Sequence, residues 1–128
     1  MILVDTSAWI EFLRGTGTPA CEQVDSLLAE DLATCDPILM EVLAGARSDK
    51  HLRNLRALMA RATVLQTQST HYEHAAMLYR QARKSGLTVR KDIDCLIAAV
   101  AIDHDVRVLH ADRDFDALAT VSELRVAR

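Results

Sequence analysis

The sequence contains few of the residues that break regular structure, with four glycines and two prolines among 128 residues. Glycine and proline punctuate turns and linkers, and the chain has neither a low-complexity stretch nor an internal repeat. Their scarcity argues against a linker between domains. Because this length suits one domain, we expect a single domain over residues 1–128.

Long apolar runs are also absent, since none approaches the roughly 18 residues that a membrane-spanning helix requires. The amino-terminal MILVDTSAW has no basic segment ahead of its short apolar stretch, so we do not expect a secretory signal. Cys21, Cys35 and Cys95 form no C-x-x-C pair and have no histidine at ligand spacing. An odd number of such cysteines is typical of reduced thiols, so we expect a cytoplasmic protein without a membrane segment.

Excess positive charge is missing as well, because the formal net charge is −3. A nucleic-acid-binding protein is usually basic, so the composition alone does not predict one. The objection weakens if several acids converge on a bound cation, which would reverse the local field. The remaining composition, half hydrophobic and about a quarter charged, is typical of an ordinary globular protein.

Short β-branched segments alternate with helical patterns along the chain. The predicted strands are residues 2–5, 32–35, 63–66 and 106–110, with 124–127 as a candidate last strand. The predicted helices cover residues 7–15, 21–30, 36–45, 50–62, 70–84 and 92–104. Such alternation predicts an α/β fold with a parallel sheet and helices on both faces. In these folds ligands bind beyond the carboxyl ends of the strands.

Helix-boundary chemistry supports two of these helices. Asp36 is predicted as the N-cap of the helix at 36–45, with Pro37 in its first turn and Gly45 near its end. Asp92 is predicted as the N-cap of the strongly apolar helix at 92–104. Asp94 lies inside the first turn of that helix, where the helix dipole also favours an anion.

Acidic side chains stand at the predicted functional edge of the sheet. Asp5 ends the first strand and Asp112 follows the strand at 106–110. The alternative role for Asp5 is to cap the next helix, although Thr6 or Ser7 could do so instead. Glu41 is a lone acid in an apolar helix, which is costly unless the carboxylate is paired, metal-bound or on a face that reaches solvent.

The run ADRDFDAL places Asp112, Asp114 and Asp116 two residues apart, with Glu123 farther along. The spacing approaches that of a calcium-binding loop, but Ala117 stands where such a loop needs glycine. The segment also follows a predicted strand, so we disfavour a calcium loop. Asp116 is expected to be helical and exposed.

Four segments resemble the toxin component of VapBC-type toxin–antitoxin pairs, which are PIN-domain nucleases. They are DTSAWIEFLRG at the start, PILMEVLAG around Glu41, DCLIAAVAI from Asp94 and HADRDF from His110. They follow the family's order and span nearly the whole chain. The resemblance implies a PIN-like three-layer sandwich and places the family's acidic positions on Asp5, Glu41, Asp94 and Asp112, with Asp114 as an accessory fifth acid.

The same resemblance implies hydrolysis of RNA, usually endonucleolytic, that depends on Mg²⁺ or Mn²⁺. Asp5, Asp94 and Asp112 would bind the metal, Glu41 would bind it directly or through water, and Thr6 or Ser7 would orient a ligand. Carboxylate-held ions activate water and stabilise charge on the phosphate. The resemblance also implies a homodimer and a small antitoxin partner. Basic residues that could contact RNA phosphates are Arg14, Arg90, Lys91 and Arg113.

Several alternatives stay open at this point. A phosphatase of the haloacid-dehalogenase type is disfavoured, because its chemistry needs an acid where this chain has Ser7. The chain could instead be an acid-rich interaction module without activity, or a nuclease of the same fold that acts on DNA. A metal site built on His71 and His74 is disfavoured, because no further ligand is near them in sequence.

Overall fold

A computed structural model describes residues 1–127 of the chain. Its sheet has four parallel strands, which are β1 (Ile2–Val4), β2 (Leu32–Cys35), β3 (Thr63–Leu65) and β4 (Arg107–Leu109). The strand order is β3-β2-β1-β4. The order reverses between β1 and β4, so the crevice beyond their carboxyl ends is the switch point at which such sheets bind ligands.

Seven helices surround this sheet in the described residues. They are α1 (Thr6–Arg14), α2 (Pro19–Leu28), α3 (Asp36–Ala44), α4 (Asp49–Met59), α5 (Ser69–Lys84), α6 (Asp92–Asp103) and α7 (Arg113–Thr120). Every residue of β2 is buried, and because successive side chains point to opposite faces, helices cover both faces. The predicted α/β fold with a short parallel sheet is confirmed. Within residues 1–127, no helix combines the length and apolarity needed to cross a bilayer.

The most deeply buried helix is α6, in which every residue from Asp94 to Ala101 is buried. A helix that is apolar on all sides belongs in the interior, and α6 packs along α5 with contacts to α3, β4 and α7. Its first turn therefore carries Asp94 into the protein rather than towards solvent. Burial of this helix fixes the position of one acid of the candidate site.

Both N-cap predictions for acidic residues are wrong by one residue. Cys35 is the N-cap of α3 and Lys91 that of α6, and neither side chain makes a capping hydrogen bond. Both residues have extended backbone, while Asp36 and Asp92 are already helical. In α3 this follows because β2 runs directly into the helix without a loop. The two acids still lie in the first turn, where the helix dipole favours them.

The carboxyl-terminal region differs most from expectation. The candidate strand at 124–127 forms only one parallel bridge, between Val126 and Val108 beside β4. Helix α7, which the strand and helix assignment did not include, begins directly after Asp112. Asp114 and Asp116 are therefore helical, which rules out a calcium-binding loop, and Asp116 is exposed as predicted.

Candidate active site

The carboxyl ends of β1 and β4 meet at the switch point of the sheet. The backbone N–H of Asp5 donates to the carbonyl of Leu109 at 2.9 Å, so the two strand ends are held in register. After β1 the chain passes through Asp5 into α1. After β4 it passes through the three residues 110–112 into α7. This geometry carries Asp5 and Asp112 to the same edge of the sheet.

Asp5 is both a helix cap and a buried acid, with 3% of its surface exposed. Its Oδ2 accepts the 2.9 Å hydrogen bond of the Ser7 N–H and a second bond from the Ser7 hydroxyl. Of the two alternatives left open by the sequence, Asp5 itself is therefore the cap of α1, and neither Thr6 nor Ser7 replaces it. Capping uses only one carboxylate oxygen, and Oδ1 stays buried without a partner in residues 1–127.

Ser7 joins the two strand ends that carry the acids. While its hydroxyl donates to Asp5, its Oγ accepts the backbone N–H of Ala111 at 2.9 Å. Ala111 immediately precedes Asp112, so one hydroxyl links the start of α1 to the turn before α7. The sequence singled out Ser7 as an orienting residue for a ligand, but its bond to the Ala111 turn depends on tertiary contact.

Glu41 reaches the same region from the middle of α3. Its Oε1 accepts a 2.7 Å hydrogen bond from the hydroxyl of Thr6, and its side chain is half-buried. The charge of this carboxylate affects the pKa of Asp5. Burial raises that pKa, two hydrogen bonds from Ser7 lower it, and the negative charge of Glu41 raises it. The net direction is upward, so Asp5 and Glu41 belong to one electrostatic cluster.

Asp94, Asp112 and Asp114 converge from α6 and α7. One oxygen of each carboxylate lies within 4.8 Å of one oxygen of the other two. Asp94 is 1% exposed, and its Oδ2 is buried without a partner in the described chain. Burial raises the pKa of Asp94 to about 7, although Lys91 opposes the shift. The charges of Asp5, Asp112 and Asp114 contribute further to that rise.

Arg90 anchors the acids of α7. Its guanidinium donates a 2.9 Å hydrogen bond to Oδ1 of Asp112 and lies 3.5 Å from Oδ2 of Asp114. The Arg90 backbone N–H also donates to Asp114 Oδ2, at 3.2 Å. Burial raises the pKa of Asp112, but the Asp114 N–H and the charges of Lys91 and Arg90 lower it overall. Arg90 was predicted as an RNA contact, and in the structure it donates its hydrogen bonds to two acids of the cluster, Asp112 and Asp114.

Lys91 extends into the centre of the cluster. Its Nζ lies 3.7 Å from Oδ2 of Asp112 and 4.0 Å from Oδ1 of Asp94. Partial burial lowers the pKa of Lys91, but surrounding carboxylates raise it overall. Those carboxylates are Asp94, Glu41, Asp112 and Asp5. The ammonium therefore stays protonated, near Asp112 and Asp94 and in the electric field of Glu41 and Asp5.

The acid cluster fits a divalent cation. Hard cations bind oxygen ligands, and the cluster offers two buried carboxylate oxygens, Asp5 Oδ1 and Asp94 Oδ2, that no donor in residues 1–127 satisfies. Buried polar atoms are rarely left unpaired unless an ion, a water or a functional need accounts for them. Asp94 also converges with Asp112 and Asp114, and the charge of Asp5 acts on Asp94, so these acids are suited to Mg²⁺ or Mn²⁺.

The other two predicted RNA contacts are placed differently. Arg14, in the last turn of α1, lines a groove that also includes Thr6 and Glu41. Arg113 is exposed at the first residue of α7, directly after Asp112. Arg14 therefore shares a groove with Glu41, and Arg113 adjoins Asp112 in the chain.

His110 is a site residue for which the sequence predicted no role. Its Nδ1 accepts the backbone N–H of Asp112 at 3.1 Å, which leaves the proton on Nε2, 3.3 Å from the exposed Asp116. Its ring packs on Phe115, with centroids 5.3 Å apart. His110 thus shapes the turn that presents Asp112, and only its place after a strand could have indicated this.

A second cluster joins His71, Asp103 and His104 at the other end of α6. His71 Nδ1 accepts the backbone N–H of Gln68 at 2.9 Å, so in the neutral ring Nε2 carries the proton and donates to Asp103, at 2.9 Å. A metal-binding histidine instead donates from its second nitrogen. His71 therefore ties the start of α5 to the end of α6, and this tautomer opposes metal binding.

The cysteines take no part in the candidate chemistry. Burial raises the pKa of both Cys35 and Cys95 to about 12. The charges of neighbouring acids contribute to this rise, so neither thiol ionises near neutral pH.

Comparison with known proteins adds sequence evidence to this geometry. A family model described as PIN domain matches residues 2–121. Ribonuclease VapC11 from Mycobacterium tuberculosis is 44% identical over an alignment 131 positions long, which covers 99% of this chain and 98% of the relative. The matches therefore span the segments that carry the acid cluster.

Solved structures share the fold. The chain superposes on VapBC-1 from nontypeable Haemophilus influenzae with a TM-score of 0.76 and 22% identity, covering 99% of this chain and 97% of the other. For Mycobacterium tuberculosis VapC20, described as a sarcin-ricin loop cleaving toxin, the TM-score is 0.71 at 20% identity, covering 98% and 99%. At these identities the likeness concerns architecture alone.

Proposed function

The chain belongs to the PIN-domain family, with VapC ribonucleases as full-length relatives, and we propose that its acid cluster is a metal-dependent endoribonuclease site. The observation that carries the proposal is the pair of buried, unpartnered oxygens on Asp5 and Asp94. They lie at the switch point of the sheet, where a bound cation would satisfy both. An acid-rich module without activity would have no comparable reason to bury them.

Each acid has a distinct part in this proposal. Asp5, Asp94 and Asp112 hold the metal, with Asp114 as an accessory acid. Glu41, fixed through Oε1 by Thr6, keeps its second oxygen free to orient a water molecule. Ser7 holds the strand ends of Asp5 and Asp112 at a constant separation. Arg90 holds Asp112 and Asp114 in place, while Arg14 and Arg113 are the basic residues available to RNA phosphates.

When bound, Mg²⁺ or Mn²⁺ supplies activation of the attacking water and stabilisation of charge on the phosphate. Attack by water leaves a 5′-phosphate and a 3′-hydroxyl and does not require the ribose 2′-hydroxyl. Selection of RNA over DNA must therefore come from contacts outside the cluster, such as recognition of loop shape and 2′-hydroxyls.

The direct test is cleavage of a labelled RNA by the purified protein. We expect cleavage with Mg²⁺ or Mn²⁺, loss of cleavage with chelator, and 5′-phosphate products. Glu41→Gln should retain the fold and lose activity, whereas Glu30→Gln, on the exposed segment after α2, should remain active. DNA of the same sequence should be cut poorly. Intact RNA with both metals would reject a nuclease, and equal cutting of DNA would favour the DNA-directed alternative.

We also propose that a small antitoxin binds the groove between α1, α3 and α4. The groove encloses about 340 Å³ and is flanked by the exposed apolar residues Ile10 and Leu13. It runs towards Glu41, so an apolar segment seated in it could extend a basic side chain to the acids. The neighbours of this fold include a toxin–antitoxin complex from Klebsiella pneumoniae, which supports this kind of partner.

The groove can be tested by co-purifying this protein with the product of any small reading frame that adjoins its gene. Leu13→Asp should abolish co-purification, because it places a carboxylate on the apolar wall. Met77→Asp, on the exposed face of α5, should retain it. A complex that survives Leu13→Asp would place the antitoxin elsewhere. Toxicity on expression without the partner, and its loss in Glu41→Gln, would link the groove to the activity.

The proposal includes a homodimer in the cytoplasm. An apolar groove of about 500 Å³ lies between α5 and α6, lined by Tyr72, Tyr79, Ile93 and Leu96. Exposed apolar surface of this kind marks interaction sites, and the three free cysteines suit a reducing compartment. Light scattering at micromolar concentration should give twice the chain mass, and Ile93→Asp should give a folded monomer. A wild-type monomer would contradict the dimer.

A further inference from the structure

Two adjacent cations contact the acid cluster in different ways. Arg90 is fixed, because it donates hydrogen bonds to Asp112 at 2.9 Å and, from its backbone, to Asp114 at 3.2 Å. Lys91 makes no such bond within residues 1–127, since its Nζ stays 3.7 Å and 4.0 Å from the nearest oxygens of Asp112 and Asp94. Arg90 is therefore part of the framework, whereas Lys91 is held by charge alone.

We propose that Lys91 is the exchangeable counter-ion of the acid cluster, so that its ammonium balances the carboxylates without metal and competes with the metal for Asp94 and Asp112. The inference rests on the proposed metal site and adds a residue that sets its affinity. Its ground is position: the ammonium lies 3.7 Å from Asp112 and 4.0 Å from Asp94, two of the acids that would hold the metal.

The Lys91 side chain can leave the cluster at little structural cost. It is about half exposed (52%), and a lysine carries its charge on a flexible four-carbon stem. Lys91 is the N-cap of α6, but its side chain makes no capping hydrogen bond. Withdrawal of the ammonium therefore breaks no hydrogen bond of the helix start, and the backbone that positions Asp94 stays in place.

The positive charge of Lys91 should weaken metal binding and stabilise the metal-free protein. Charges a few ångströms apart interact strongly where water is partly excluded, so an ammonium beside the metal position weakens metal binding. The same ammonium stabilises the metal-free protein by reducing repulsion among the acids. Removal of the charge should thus tighten metal binding and destabilise the metal-free fold. A lysine that only supported the fold, or only bound RNA phosphate, would not produce these opposite changes.

Calorimetric titration with Mn²⁺ alone, without RNA, tests this directly. We expect Lys91→Met to lower the Kd at least about threefold, and Lys91→Arg, which keeps the charge, to stay close to wild type. The metal-free melting temperature of Lys91→Met should fall by about 2–5 °C. Lys50→Met, an exposed lysine at the start of α4, controls for the loss of one positive charge and should alter neither quantity.

The outcomes separate this inference from the function on which it rests. An equal or weaker Mn²⁺ affinity in Lys91→Met, while the wild type binds Mn²⁺ and cuts RNA, would overturn the counter-ion role and leave the nuclease intact. Absence of Mn²⁺ binding to the wild type would overturn both. If Lys91→Met does not give a native circular dichroism spectrum, the same titration is done with Lys91→Gln, whose side chain is polar and uncharged.

Discussion

The hydroxyl of Thr6 donates a 2.7 Å hydrogen bond to Oε1 of Glu41, which joins the first turn of α1 to the middle of α3. Thr6 directly follows Asp5, so the bond ties the position of Glu41 to that of a proposed metal ligand. A free glutamate side chain would sample several rotamers. The bond restricts Glu41 to one orientation towards the cluster.

Thr6→Val removes this bond while keeping the β-branched shape. We expect a native fold and a loss of about 2–30-fold in kcat, the scale of one positioning hydrogen bond of about 0.5–2 kcal/mol. Thr6→Ser keeps the hydroxyl and should recover most of the activity. Cleavage of a labelled RNA at saturating Mg²⁺ measures both variants. Equal activity of Thr6→Val and the wild type would show that the orientation of Glu41 does not affect catalysis.

Asp94 and Asp92 should respond differently to replacement by asparagine. Asp94 is buried with an unpartnered oxygen, whereas Asp92 is exposed at the start of α6. Asparagine keeps the shape but is a poorer ligand for a hard cation, so Asp94→Asn should keep the fold and lose at least about a hundredfold in cleavage. Asp92→Asn should change activity and stability little.

The same RNA assay, beside circular dichroism for each variant, decides between the two positions. An inactive Asp92→Asn with an active Asp94→Asn would move the metal ligand by two residues along α6. If both variants cut RNA at the wild-type rate, the metal is not bound at α6 and the proposed nuclease site fails.

Stability of the metal-free protein should depend on pH. Burial raises the pKa of Asp94 from 3.8 to about 7 and also raises that of Asp5. The folded state then binds more protons than the unfolded state between about pH 4 and pH 7, so stability falls as pH rises through this window. Asp94→Asn removes one of these groups and should flatten the decline.

Thermal melts in chelator from pH 5 to pH 8 measure this dependence. Wild type and Asp94→Asn should melt at similar temperatures near pH 5, and Asp94→Asn should melt higher at pH 8. Saturating Mg²⁺ or Mn²⁺ should raise the wild-type melting temperature, most at pH 8, because a cation that binds only the folded state stabilises it by mass action. A wild-type curve that rises from pH 5 to pH 8 in chelator would contradict the burial of these acids.

Ser7→Ala should destabilise the protein. It removes a donor to the buried Asp5 carboxylate and the acceptor of the exposed Ala111 N–H. The lost hydrogen bond to the carboxylate should cost about 1–3 kcal/mol. Ser26→Ala, which removes an exposed bond within α2, should change stability by less than about 0.5 kcal/mol. Urea unfolding of the two variants measures the difference. Equal stability would show that the Ser7 bridge carries no net free energy.

Local chemistry in the sequence was sufficient for most of the fold. The bounds of β2 agree with the pattern at 32–35, and the apolar run from Asp94 correctly predicts a buried helix. Hydrophobic periodicity reports which faces are buried, and it is encoded in neighbouring residues. Both helices start where the sequence predicts, but their N-caps were placed one residue late, at Asp36 and Asp92, because an acid suits the first turn as well as the cap.

The sequence by itself determined where the acids stand in the chain and so predicted the set that a metal site would use, since Asp5 and Asp112 follow strands and Asp94 begins an apolar helix. Tertiary structure alone decided how those acids are held. The bridge from Ser7 to Ala111, the bond from Thr6 to Glu41 and the position of the Lys91 ammonium each join segments distant in sequence or depend on the packing of α6 and α7. Hydrogen bonds and charge contacts act over a few ångströms, so only the folded chain specifies which oxygens are satisfied and which are left for a cation.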